Sequence, residues 1–127
     1  MREIKFRVYI KKTKEMLPVV SIVQMNDEEW LRVFPKWYDR NFLESEWDIV
    51  LMQYTWLKDK NGKYIYDGDI LKWEDSLWRL FVYPVTWCDD KSGFILDSEN
   101  FSLWIYKKYK GFEIIGNVYE NPELLKV

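Results

Sequence analysis

The run at residues 53–71, QYTWLKDKNGKYIYDGDIL, constrains the fold of this chain more than any other stretch. Asn61-Gly62 is the dipeptide that supplies the positive φ angles of a two-residue hairpin turn, and apolar or β-branched residues flank it on both sides. Asp67-Gly68 repeats the device, so the chain reverses or kinks again before Asp69-Ile70-Leu71. These residues instruct a fold and perform no chemistry.

Short strands are expected on either side. Residues 4–11 alternate Ile4, Phe6, Val8 and Ile10 with Lys5, Arg7, Tyr9 and Lys11, and pair with 16–24 through the turn Lys12-Thr13-Lys14-Glu15. Pro18 marks the second of these strands as an edge or as irregular. Further strands are expected at 49–55, 63–66, 69–73, 77–86, 93–96, 101–107 and 112–119. Their density implies a bent sheet or a compact barrel, and 66–70 resembles the start of a strand in SH3-like barrels.

One helix is predicted at 26–34. Asn26 caps it, Glu29 reaches back from the N3 position, Trp30, Leu31, Val33 and Phe34 form its apolar face, and Pro35 ends it. Residues 36–46 read as a loop packed through Trp37, Tyr38 and Phe42, or as a second short helix. A terminal helical turn follows from Asn121-Pro122. The expectation is a mainly β (β-rich α+β) single domain over 1–127, with an N-terminal hairpin at 1–24, a helical or loop insertion at 26–47 and a β-rich part at 48–127.

Three ordered segments resemble the YopX-like family of small phage and prophage proteins. They are the run 53–71, the opening MREIKFRVYIKKTKEM and the closing FEIIGNVYENPELL, and Val85, Trp87, Gly93, Phe94 and Leu96 sit where that family places a tryptophan-bearing strand, a turn and another strand. Residues 20–48 and 99–110 lie outside the likeness. One departure stands out: the position after Tyr54-Thr55, commonly glycine in the family, is Trp56, a bulky residue for any backbone that needs positive φ. The resemblance implies a phage or prophage origin and carries no established reaction.

Composition bounds the function. The 127 residues suit one core that buries roughly two-thirds of the unfolded surface. No apolar run approaches the ~18 residues of a membrane span, and the alternating N-terminus lacks the continuous apolar core of a secretion signal, so a cytoplasmic location is expected. The lone Cys88 rules out an internal disulfide and suits a reducing compartment. A net charge of -2 opposes generic binding to duplex nucleic acid, although Lys11, Lys12 and Lys14, Lys58, Lys60 and Lys63, and Lys107, Lys108 and Lys110 each load a turn with positive charge. Such turns also keep a small β protein soluble.

With no histidine, the usual general base and the commonest metal ligand are missing, and Asp89-Asp90 beside Cys88 would raise the thiol pKa. Asp67 with Asp69, or Asp89 with Asp90, would hold magnesium only with a third carboxylate alongside, and aspartates in turns more often accept backbone hydrogen bonds. The five glycines are dispersed and cradle no phosphate. No cofactor and no catalytic residue is therefore expected.

The outlier is an aromatic content of 19%, with eight tryptophans. That exceeds the needs of one small core, so rings are expected at a subunit interface or a ligand surface. Trp56, Trp73, Trp78 and Trp104 are the candidate exposed rings, with Lys107 and Lys108 as the charged edge. This reading gives a homo-oligomer that binds a host or phage protein. A nucleotide stacked on a ring and held by lysine is the alternative, and a carboxylate-metal enzyme comes third.

Overall fold

The computed structural model describes residues 5–24, 30–43, 48–74, 77–89, 92–97, 102–104 and 111–125. They form eleven strands with antiparallel pairings, and among the described residues the one helical segment is a 3-10 turn at Pro122–Leu125. No helix among them is long and apolar enough to cross a membrane. The chain divides into two compact units between Gln53 and Tyr54.

In the first unit, β1 (Phe6–Ile10) pairs with β2 (Glu15–Val23) from Ile10↔Glu15 to Arg7↔Pro18, which is the N-terminal hairpin. On its other side β1 pairs with β5 (Ile49–Lys58), from Ile10↔Ile49 to Phe6↔Gln53. A strand flanked on both sides needs apolar residues on its core face, and Val8 and Ile10 supply them. They bury with Val33, Phe42 and Ile49, packed by Leu17, Val19, Tyr38 and Leu51.

The helix predicted at 26–34 does not form in its described part. Residues 32–35 are instead β3 (Arg32–Pro35), paired with β2 through Ile22↔Val33 and with β4 (Phe42–Leu43) through Val33↔Phe42. Asn26 and Glu29 lie outside the described residues. A helix this short is marginal alone, and its capping box is worth about 1 kcal/mol. As a strand, Val33 reaches the core fully buried and the backbone gains two ladders. β2 is thus no edge: Pro18 sits in an interior strand whose register with β3 shifts between Val19 and Ser21. Its carbonyl accepts from the Lys36 amide at 2.8 Å. Of the stretch 36–46, the described residues 36–43 fit the loop reading better than the helical one, with Tyr38 5.7 Å from Phe42 and the Arg40 guanidinium 4.4 Å over the Phe42 ring, while 44–46 lie outside the described residues.

In the second unit, the later half of β5 pairs with β6 (Tyr64–Tyr66), and the five-stranded order is β10-β9-β8-β7-β11. Here β7 is Asp69–Glu74, β8 Leu80–Cys88, β9 Gly93–Asp97, β10 Ser102–Trp104 and β11 Glu113–Asn117. Ile65, Leu71, Val85, Leu96 and Phe112 form its core, packed by Leu57, Trp73, Tyr83, Phe94 and Ile114.

The Asn61-Gly62 hairpin is present with a longer loop than a two-residue turn. The Gly62 amide donates to the Asp59 carbonyl at 3.0 Å, the Asp59 amide donates to the Lys63 carbonyl at 2.8 Å, and of the Asn61-Gly62 pair only Gly62 has positive φ, at 80°. This is the three-residue loop with a glycine bulge. Asp59 explains the choice: its Oδ1 accepts the Asn61 and Lys63 amides, both at 2.9 Å, and stabilises the longer loop. Asp67-Gly68 is a corner between β6 and β7. Gly68, at φ 90°, donates to Val85 and accepts from Val118, both at 2.9 Å, and Asp69 turns back to accept the Tyr66 amide at 2.7 Å.

Candidate interaction surface

The β7–β8 hairpin carries the aromatic residues of greatest interest. Its register places Trp73 opposite Phe81 and Glu74 opposite Leu80, which leaves residues 75–79 as the connection. Cross-strand rings meet on one face of such a pair. Trp73 stacks on Phe81 at 5.2 Å, lies 5.7 Å from Tyr83 and sets its edge against Phe112 at 5.3 Å. The Arg79 guanidinium lies 5.9 Å from the Phe81 ring. Trp73 is therefore a packing residue of the second core and not the exposed ring expected from the sequence.

Trp78 is the reverse. It is 84% exposed at φ 63°, with Leu77 and Leu80 beside it at 68% and 58%. The same pairing of exposure and strain recurs in the first unit at Trp37, which is 78% exposed at φ 63°. There the Lys36 ammonium sits 4.6 Å from the ring centroid. A left-handed backbone costs a non-glycine residue about 1–2 kcal/mol, and an exposed indole returns little burial against it.

Trp56 also takes positive φ, 69°, in the place where the family commonly has glycine. Between Tyr54↔Tyr66 and Lys58↔Tyr64 the register shifts, so β5 bulges there. The Thr55 hydroxyl donates to the Ile65 carbonyl at 2.8 Å and accepts the Leu57 amide at 3.3 Å. The ring is half-buried, 6.5 Å from Tyr54, whose own ring meets Tyr64 at 4.8 Å. For Trp104 the backbone alone is described, paired with Ile95, and Lys107 and Lys108 lie outside the described residues. The four candidate tryptophans thus divide: Trp78 is exposed, Trp73 and Trp56 are packed, and Trp104 is placed only by its backbone.

Several residues that the sequence reading passed over matter here. Leu77 and Leu80 were detectable as apolar residues that break strand alternation around Trp78-Arg79. Asp59 was detectable only as an aspartate two residues before Asn61. Its Oδ2 also accepts the Ile114 amide at 3.1 Å, and the Lys60 amide donates to the Phe112 carbonyl at 2.8 Å, so the turn is tied to β11. Burial raises the Asp59 carboxyl pKa, but the amides of Ile114, Lys63 and Asn61 and the Lys63 charge outweigh it and hold it below the ordinary 3.8. Glu113 is lowered by the Lys60 ammonium at 3.0 Å and by Lys72 at 3.8 Å. Burial raises the Tyr119 phenol, helped by the charge of Asp67.

The closing motif is a second buckle. The Asn117 Oδ1 accepts the Tyr119 and Glu120 amides at 3.1 and 2.8 Å, its Nδ2 donates to Glu120, and Asn121 Oδ1 accepts the Asn117 amide at 3.2 Å. Gly116 lets Asn121 approach, since a Cβ there would stand 2.6 Å from that oxygen. Of the two carboxylate pairs, Asp69 is buried on turn duty and Asp90 is outside the described residues. Among the described residues no three carboxylate or cysteine side chains converge to hold a metal ion.

These features define a small antiparallel β protein whose polar clusters hold turns and in which the exposed rings Trp37 and Trp78 stand outside the strands. The family described as "YopX protein" matches residues 5–126, and the chain belongs to that family. Two crystal structures are similar along nearly the whole length. Protein EF1440 from Enterococcus faecalis is 25% identical, with 99% of this chain and 100% of that one covered at a TM-score of 0.66. Protein yopX from Bacillus subtilis is 25% identical, with 97% and 96% covered at 0.67. A search of curated proteins finds no match.

Proposed function

We propose that this protein is a non-catalytic, phage-derived binding protein that works in the host cytoplasm as a homo-oligomer and engages a host or phage protein through exposed aromatic rings. The observation that carries this reading is the pair Trp37 and Trp78, each largely exposed and each on a left-handed backbone. Strained backbone tends to gather at functional positions, and tryptophan is the residue most enriched among interface hot spots. The immobilised full-length protein, its Trp37→Ala variant and its Trp78→Ala variant are compared for capture of proteins from bacterial lysate. Capture by the parent and its loss in at least one ring variant of unchanged melting temperature supports the reading. Equal capture by all three contradicts it. Sedimentation at micromolar concentration tests the oligomer, and a monomer there removes that part.

A second reading is favoured by one contact, the Lys36 ammonium beside the exposed Trp37 ring. A ring with an adjacent cation is what a stacked nucleotide and its phosphate require. A bound ligand raises apparent stability by ~2.7 kcal/mol at a hundred times its dissociation constant. A panel of linear and cyclic nucleotides that leaves the melting temperature unmoved sinks this alternative.

A further inference from the structure

We infer that residues 77–80, which lead into and open β8, are a plug, whose Trp78 ring, flanked by Leu77 and Leu80, seats in a concave apolar pocket of a partner protein. The inference rests on the protein-binding reading above and narrows it to one surface and one shape of partner.

Three observations select this occupant. The first is area. A tryptophan offers at most about 250 Å² and a leucine side chain about 100 Å², so at the exposures seen the three residues present on the order of 350 Å². Two such tips facing each other would bury about 700 Å² in total, below the ~1,200 Å² of a specific stable interface. A second copy of the chain meeting tip to tip is thus too small a contact, whereas one ring enclosed on all sides by a pocket uses its whole surface.

The second is charge. The stretch from Glu74 to Leu80 carries Glu74, Asp75 and Arg79, a net negative balance. An anionic bilayer surface attracts basic flanks, and weak apolar insertion needs such a second signal to hold. The tip offers no such surplus, so a lipid surface is the wrong occupant.

The third is rigidity. The hairpin behind the tip is braced by the Trp73–Phe81 stack and by the Trp73 edge on Phe112. A ring presented from a braced hairpin loses less freedom on docking than one on a loose loop. Tryptophan in an enclosed apolar site is the characteristic anchor of a protein interface.

The test uses the full chain with p-benzoylphenylalanine in place of Leu77, irradiated in bacterial lysate, followed by purification of the cross-linked protein. Its dissociation constant is then measured for the parent, Trp78→Ala, Trp78→Phe and Trp37→Ala. The plug requires the cross-link to map to residues that line an apolar concavity. It also requires Trp78→Ala to weaken binding by about 30-fold or more, Trp78→Phe to keep part of the affinity, and Trp37→Ala to change nothing. Loss with Trp37→Ala but not with Trp78→Ala overturns the plug and leaves the protein-binding reading standing. Cross-links confined to a second copy of the chain overturn it in favour of self-association. Trp78-dependent sedimentation with phosphatidylethanolamine–phosphatidylglycerol vesicles overturns it in favour of a bilayer. No protein captured through either ring overturns both readings.

Discussion

Position 56 shows how one residue can keep a backbone shape that another residue type would adopt more readily. The β5 bulge demands a left-handed φ, which glycine takes at no steric cost, yet Trp56 holds it at 69°. Replacement by glycine removes about 1–2 kcal/mol of strain and forfeits the burial of half a ring, a comparable amount. Trp56→Gly is therefore expected to leave stability nearly unchanged, while Trp56→Ala, which loses the ring and keeps the strain, falls about 1 kcal/mol below it. Urea midpoints of the two variants check the order, and alanine equal to glycine would show that the strain is absent. Gly116 is the opposite case. A methyl group there would meet Asn121 Oδ1 at 2.6 Å and its Cβ at 2.9 Å, so Gly116→Ala is expected to cost about 1–3 kcal/mol by displacing the buckle. An unchanged denaturation midpoint would contradict that close approach.

At the scale of elements, the hairpin loop distinguishes the two glycine-turn geometries. In a two-residue turn both Asn61 and Gly62 would need positive φ, whereas here Gly62 alone does. Asn61→Ala is expected to be nearly neutral and Gly62→Val to cost on the order of 1 kcal/mol or more in thermal or urea unfolding. Equal costs would restore the shorter turn. The same loop predicts an acid dependence. The folded Asp59 pKa lies below 3.8, so the stabilisation it gives is present above that value and is lost as pH falls through the folded pKa. Asp59→Asn, which has one acceptor oxygen for three amide donors, is expected to cost about 1–3 kcal/mol at neutral pH. The gap to the parent should narrow as the solution is acidified below 3.8, and a constant gap in parallel unfolding curves would count against the carboxylate's role. The strands expected at 49–55 and 69–73, found at Ile49–Lys58 and Asp69–Glu74, were legible because apolar alternation and glycine turns are local signals, and the end of the first was missed because β5 continues past its bulge. The stretch at 32–35 was not, because its capping pattern is local while the pairing of Val33 with Ile22 and Phe42 is not. Asp59 was hidden for the same reason, since one of its donors lies 55 residues away.

Across the whole molecule, the residues that hold turns and the residues proposed to bind a partner separate along the sequence. The motifs that carry the family likeness supply turns and buckles: Asp59 and Gly62, Gly68 and Asp69, Gly116, Asn117 and Asn121. Trp37 and Trp78, the two most exposed rings among the described residues, fall outside those motifs. A place near a turn or on a strand pattern bearing polar residues pointed to Trp78 in the sequence, but it pointed equally to Trp73, which packs, because the pattern does not say which face of the strand another element covers. On the binding reading proposed above, these motifs set the fold, and Trp78, outside them, meets the partner. The most direct measurement of this claim is fluorine NMR of the chain labelled with 5-fluorotryptophan, with each resonance assigned by single substitution. In the free protein, a soluble gadolinium chelate is expected to broaden Trp78 and Trp37 and to spare Trp73, and addition of the purified partner should then shield Trp78 while Trp37 stays accessible. A Trp78 resonance already shielded in the free protein, or still accessible in the complex, would contradict the account.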